Sequence, residues 1–355
     1  MTNLENKKRN ILGLTENELR EVAIQNNLKP YVAKQLYDWL YKKRVDSFDE
    51  MTNISKINLN FLKENFYYDT LKIVIKQEDP IDGTIKFLFE LEDGYKIETV
   101  LMKFDYGYSV CVTSQVGCNM GCKFCASGLL KKKRNLETYE MVQEVYSVQK
   151  FLDIHKPGTR ISNIVVMGIG EPFDNLANVM QFIRIVNNDN GFQIGARKIT
   201  VSTCGLVNRF DEWTENMPQV GLAISLHAPN NEIRDKIMPI NKAFNINKLL
   251  DAAKKYTEVT KRRITFEYIM LRGVNDSKEN AEELAQRLKQ KGIICYVNLI
   301  PYNPVNEHDF QRSITVKEFA DTLNSLGITA TIRQEKGSNI DAACGQLRAK
   351  NEGII

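Results

Sequence analysis

Between residues 109 and 333 strand-like runs alternate with helical stretches. The strands read at 109–113, 163–167, 198–203, 221–226, 265–270, 295–299 and 329–333, and the helices at 139–155, 176–187, 246–259, 277–291 and 316–326. Repeated βα units require a parallel sheet covered by helices, either doubly wound or curled into a barrel. Six or seven such units suit a barrel, complete or partial, whose chemistry belongs at the C-terminal ends of its strands. Two of the helices carry capping-box patterns, Asp276 with Glu279 and Thr315 with Glu318.

Ahead of this alternation the hydrophobic period differs. Residues 1–70 carry apolar residues at helical spacing, as in "TENELREVAIQNN" and "VAKQLYDWLYKKR". Residues 71–103 switch to a period of two, with "EDPIDG" and "EDG" as turns. The expected organisation is a helical accessory domain over 1–70, a β-hairpin region over 71–103, a core over 104–340 and a terminal segment over 341–355.

The distinctive chemistry lies just after the first strand of the series. "CVTSQVGCNMGCKFCASG" holds Cys111 and, at spacings of four and three, Cys118, Cys122 and Cys125. Structural zinc wants four closed ligands, usually as two pairs, and no second pair follows. A cubic iron–sulfur cluster normally takes four thiolates, so three leave one iron open to a substrate or cofactor. "MGIGEP", residues 167–172, lacks the third glycine of a dinucleotide fingerprint and reads as a βα turn presenting Glu171. Cys204 and Cys295 sit in apolar strands and read as packing residues, whereas Cys344 in "GSNIDAACGQLRAK" has small, polar neighbours.

Composition narrows the partners without naming them. The chain has 355 residues, 43% hydrophobic and 26% charged, with a net charge of +4 and seven cysteines. No export signal or membrane-length apolar run is evident, so reduced cytoplasmic thiols are expected. Basic clusters at 41–44, 131–134 and 261–263 leave RNA or another polyanion open as a partner.

The CxxxCxΦC spacing, with Phe124 before the last cysteine, resembles the radical S-adenosylmethionine (SAM) superfamily. "VVMGIGEPFDN", "LAISLHAPN", "EYIMLRGVNDS", "NLIPYNP" and "IDAACGQL" follow in order. Together they resemble the RlmN family of RNA adenine C2-methyltransferases, with the C8-methyltransferase Cfr as a sibling. The resemblance implies a partial (βα)6 barrel, a [4Fe–4S] cluster on Cys118, Cys122 and Cys125, and two SAM molecules consumed per turnover. SAM contacts implied are Gly170, Glu171, Ser202, Ser225, Leu226, His227 and Asn303. It implies that one SAM methylates Cys344 and that a second is reductively cleaved at the open iron to draw hydrogen from that methyl. The resulting carbon adds to the base and tethers the RNA through a thioether. Glu98 would then take the C2 proton, and Cys111 would resolve the adduct as a transient disulfide with Cys344. Implied partners are 23S rRNA at adenine 2503, tRNA at adenine 37, and an electron-donor protein such as flavodoxin; a monomer is expected. The motifs alone do not separate C2 from C8 methylation, although "GEPFDN" looks closer to the C2 enzymes. A non-catalytic zinc-binding RNA module is the alternative from another class.

Overall fold

The computed structural model describes residues 8–304, 309–341 and 345–353. Helices α1 (Glu16–Gln25), α2 (Tyr31–Tyr37) and α3 (Lys56–Asn65) build the N-terminal part. Thr15 opens α1 with a reciprocal cap: its hydroxyl accepts from the Glu18 amide, and Glu18 accepts from the Thr15 amide at 2.7 Å. Arg9–Asn10 pairs in parallel with Phe66–Tyr67 and closes this part on itself. It is docked on the later helices rather than tethered. Arg44 forks onto Asp153 at 2.5 and 3.0 Å, Gln181 donates to the Gly13 carbonyl at 2.9 Å, and Tyr41 packs on Phe192. Its buried residues join those of the sheet in one hydrophobic core.

Ten strands form the main sheet. In chain order they are β1 (Lys72–Glu78), β2 (Ile85–Glu90), β3 (Lys96–Phe104), β4 (Gly107–Val112), β5 (Ile161–Val166), β6 (Ile199–Thr203), β7 (Gly221–Ser225), β8 (Ile264–Met270), β9 (Cys295–Pro301) and β10 (Ala330–Ile332). Spatial order equals chain order from end to end, so the doubly wound alternative, which needs a reversal, is excluded. β1 to β4 run antiparallel; from β4 onward every neighbour is parallel, the winding of a partial barrel.

The connecting helices are α4 (Thr138–His155), α5 (Leu176–Asn187), α6 (Phe210–Asn216), α7 (Asn231–Ile237), α8 (Ile246–Thr260), α9 (Lys278–Lys291) and α10 (Val316–Ser325), and α11 (Gln346–Asn351) follows the last strand. The strands and helices read from the 109–333 sequence are all present, with ends displaced by at most two residues. The short α6 and α7 were not legible in the periodicity. Neither expected capping box forms. Ser277, one residue later, caps α9 reciprocally with Asn280, and the Thr315 hydroxyl donates to the Asp276 carbonyl at 2.8 Å. No described helix is long and apolar enough to cross a membrane.

Sheet register fixes what faces the barrel interior. Thr99 of β3 donates to Glu144 of α4, so that face meets the outer helices. Glu98 and Val100 therefore face inward, and Cys111, paired with Val100, shares their side. β2 is buried on both faces because the returning C-terminal segment covers its inner side, where Lys86 Nζ donates to the Asp341 carbonyl at 2.5 Å.

Candidate active site

The three-cysteine loop leaves β4 and is pinned by backbone bonds. Cys118 donates its amide to the Leu130 carbonyl at 2.8 Å, Lys123 to Ile237 at 3.0 Å and Cys125 to Cys122 at 3.2 Å. Gly117 has φ +85°, and a Cβ there would lie 2.3 Å from the Lys131 carbonyl oxygen, so only glycine permits this entry turn. Cys122 and Phe124 pack with Cys204, Ile237, Met238 and Tyr302 in a small second core.

These thiols fit an iron–sulfur group better than they fit solvent. Burial pushes the Cys118 thiol up to about 12 and the Cys122 thiol further still, and each of them is raised by the other cysteines of the loop. Buried thiols become thiolates when a cationic core compensates them. Among the described residues no three Cys, His, Asp or Glu side chains are gathered as one ion would require. What the loop supplies is donor chemistry: three thiols close enough for Cys125 to raise both Cys118 and Cys122, the kind of ligand an iron–sulfur group takes.

The candidate SAM residues sit at strand ends around the same mouth. Glu171 follows β5 and is 3% exposed. Its oxygens accept from the Thr203 hydroxyl at 2.7 Å, the Cys204 amide at 2.7 Å and the Phe173 amide at 2.9 Å. The Cys204 side chain adds a fourth hydrogen bond, so the donors described match the roughly four lone-pair sites of a carboxylate. Burial holds its pKa above the ordinary carboxylate value. The glycines of "GIGEP" have an additional cause: a Cβ at Gly168 would lie 2.7 Å from the Val112 carbonyl, and one at Gly170 2.7 Å from Gln115 and Ser114. Gln115 completes the lacing by accepting the Glu171 amide at 2.8 Å.

Ser202 is half-buried on β6; Ser225 ends β7 and Leu226 follows, buried. His227 holds a left-handed backbone at φ 58°. Its Nδ1 accepts from the Ile269 amide at 3.0 Å, which leaves the proton on Nε2. Burial, then the Arg234 charge, lowers its pKa to about 3, so the ring is neutral, and it packs at a right angle to the ring of Phe124, with centroids 4.9 Å apart. Asn303, past β9, is exposed.

Glu98 is 3% exposed and takes three described donors. It pairs with Lys86 at 2.8 Å and accepts from the Gly345 amide at 2.7 Å and the Arg348 amide at 2.6 Å. Cys344 lies outside the described residues, but its chain neighbour Gly345 is thus brought to Glu98. A Cβ on Gly345 would lie 2.9 Å from the Ser127 amide, two residues past Cys125. The structure therefore gathers the inner face of β3 and β4, the cysteine loop and the end of the chain.

The packing reading of Cys204 and Cys295 agrees with their places: Cys204 is buried, and Cys295 packs against the main core with its thiol raised to about 11. Of the basic clusters, 131–134 borders the cysteine loop, with Lys131 and Lys133 exposed. At 41–44, Tyr41 is buried, Lys43 lies over Trp39, and Arg44 is committed to Asp153. At 261–263, Lys261 caps α8 and Arg263 lies over Tyr296. Sequence reasoning missed Lys86, Gln115 and Arg234; charged or polar letters at such positions read as solvent-facing.

Comparison with known proteins agrees with this fold. Residues 112–285 match the family described as the Radical SAM superfamily, and 9–67 the one described as Ribosomal RNA large subunit methyltransferase N-terminal domain. The chain is 56% identical over 345 residues to "Probable dual-specificity RNA methyltransferase RlmN" of Spiroplasma citri, covering 97% of this chain and 99% of that one. A Streptococcus agalactiae protein of the same name is 57% identical, covering 96% and 94%. The crystal structure of a radical SAM methyltransferase from Sphaerobacter thermophilus superposes with a TM-score of 0.89 at 41% identity, covering 95% and 98%.

Proposed function

Because the chain belongs to the RlmN family of radical SAM RNA methyltransferases, we propose that it methylates C2 of adenine 2503 in 23S rRNA and of adenine 37 in tRNA. C2 of adenine is electron-poor and has no lone pair with which to attack a sulfonium methyl. A [4Fe–4S] cluster together with SAM would supply the radical route such a carbon needs. Cys118, Cys122 and Cys125 would hold the cube. Gly170, Glu171, Ser202, Ser225, Leu226, His227 and Asn303 would hold SAM, the Glu171 carboxylate taking its ammonium.

In this reading Cys344 carries the methyl group that becomes the new carbon on the base. Glu98 takes the C2 proton of the tethered adduct. The Cys111 thiolate then attacks the Cys344 sulfur; the sulfur–carbon bond breaks, the released carbon keeps the electron pair and gains a proton, and a disulfide remains. The observation that carries the reading is the pair of hydrogen bonds from Gly345 and Arg348 to Glu98, on the face that also bears Cys111. An unstacked adenine would enter the mouth beside Lys131 and Lys133, with RNA phosphates making affinity salt-dependent. An external protein would deliver the electrons, and the chain would work as a monomer.

The test is anaerobic turnover on an rRNA fragment and on tRNA, followed by digestion to nucleosides. The expected product is 2-methyladenosine; 8-methyladenosine would reassign the chain to the sibling chemistry. Cys344→Ala is expected to give no product, and Cys111→Ala to accumulate a covalent protein–RNA adduct.

A further inference from the structure

Arg234 of α7 is wholly buried, yet all of its hydrogen bonds go to neutral oxygens. Its guanidinium donates to the carbonyls of Leu226 at 3.1 Å, Ser225 at 3.2 Å, Cys204 at 2.7 Å and Phe244 at 3.4 Å, and to Asn241 Oδ1 at 3.0 Å. The adjacent Asp235 carboxylate is turned to Asn241 Nδ2 at 2.7 Å instead, and no described carboxylate forms an ion pair with Arg234. A buried cation whose neighbouring carboxylate is turned to another partner is costly and persists only when something nearby offsets it.

The geometry says what that something is. Cys204, whose carbonyl Arg234 holds, packs in the same small core as Cys122. The last residue of α7, Ile237, accepts the amide of Lys123, so helix and cysteine loop are fastened together. Burial draws the Arg234 pKa down to about 10, and the neighbouring Cys204, Cys122 and, least, Asp235 oppose that pull, so the side chain stays cationic at neutral pH. Three thiolates on a doubly positive cube leave one net negative charge, and the electron it must accept makes two.

We infer that Arg234 is the buried countercharge of the iron–sulfur group on Cys118, Cys122 and Cys125, and that it makes that group easier to reduce. The inference rests on the cofactor reading and is independent of the RNA substrate. It also gives Arg234 a second effect as a positioning residue, since the same guanidinium ties the Ser225 and Leu226 carbonyls at the SAM-side end of β7.

The full chain, reconstituted anaerobically without SAM or RNA, is titrated potentiometrically with the reduced cluster followed by electron paramagnetic resonance. Arg234→Gln should keep its iron and sulfide and move the midpoint to a more negative potential, while Arg234→Lys stays near the parent. A second variant leaves Arg234 in place: Asn241→Asp combined with Asp235→Asn moves a carboxylate onto the guanidinium without changing net charge. It should shift the midpoint in the same direction. This second variant decides the matter where Arg234→Gln does not fold. Unchanged midpoints, or equal shifts in the Lys and Gln variants, would show that shape rather than charge is at work and would overturn the inference. A parent chain that takes up no cube would overturn the cofactor reading together with it.

Discussion

Single residues decide whether the mouth can be built. At Gly117 the chain turns with φ +85° against the Lys131 and Leu130 carbonyls, and these are backbone atoms that cannot swing aside. Gly117→Ala should cost about 1–3 kcal/mol in backbone strain and spread the cysteine loop. Iron bound per chain after reconstitution should fall well below the parent while the circular dichroism of the barrel is retained. Lys86 and Glu98 present a different problem, a salt bridge with side chains 0% and 3% exposed. Removing one member leaves an uncompensated buried charge, so Lys86→Met should destabilise by about 3–5 kcal/mol. Adding Glu98→Gln should recover part of that loss, giving a favourable coupling in a double-mutant cycle measured by urea denaturation. Strictly additive losses would mean that the pair does not act as one unit.

Elements are held to one another by buried polar groups as well as by apolar packing. Glu144 of α4 is fully buried; it accepts from the Thr99 hydroxyl at 2.5 Å and the Thr113 amide at 3.0 Å, tying the helix to β3 and to the exit of β4. Burial raises its pKa well above the usual carboxylate value. A group raised in the folded state contributes fully below its unfolded pKa, and that contribution is lost as pH rises toward the folded pKa. Glu144→Gln, which can still accept both bonds, should therefore gain on the parent by up to about 1.4 kcal/mol per pH unit above roughly pH 4.5, read from urea midpoints at pH 5, 6 and 7. A constant difference across that range would show Glu144 ionised in the fold. The strands and helices themselves were readable because period and turn residues are local signals. Local too are the cysteine spacing and the "GIGEP" turn. Glu98 and Lys86 are set by contacts far along the chain, and Arg234 by carbonyls of loops that no period marks, so their letters in "KIETV", "TIKFLF" and "NEIRDK" read as outward charges. Glu98 was reached only through family resemblance. The two capping boxes failed for different reasons: α9 starts one residue later, on Ser277, and the Thr315 hydroxyl is drawn to the Asp276 carbonyl 39 residues away.

At the scale of the whole molecule, the inner face of β1 to β3 is completed only when the end of the chain returns to it. Asp79 accepts from the Asn339 amide at 3.0 Å, Lys86 reaches Asp341, and Glu98 receives Gly345 across 247 residues of sequence. Contacts of such separation are paid for late in loop-closure entropy, so this strap should be among the last parts to form and the first to open. Opening of that kind would suit the role proposed for Cys344, whose thiol would meet a methyl donor, then a base, then a second thiol. Hydrogen exchange should show the Gly345 and Arg348 amides opening more readily than those of β5 to β8. Asp79 lies at the strap's entry, 1% exposed, where its carboxylate also takes the Asn339 side-chain amide at 3.1 Å. Asp79→Ala should lower the strap's opening free energy by about 1–3 kcal/mol, which is roughly 5- to 150-fold faster exchange at 345 and 348, with the urea midpoint of the barrel moved far less. If exchange at these amides instead keeps pace with global unfolding in both proteins, the strap is part of the barrel's cooperative unit, and the sequential encounters proposed for Cys344 would have to be achieved by moving the substrate.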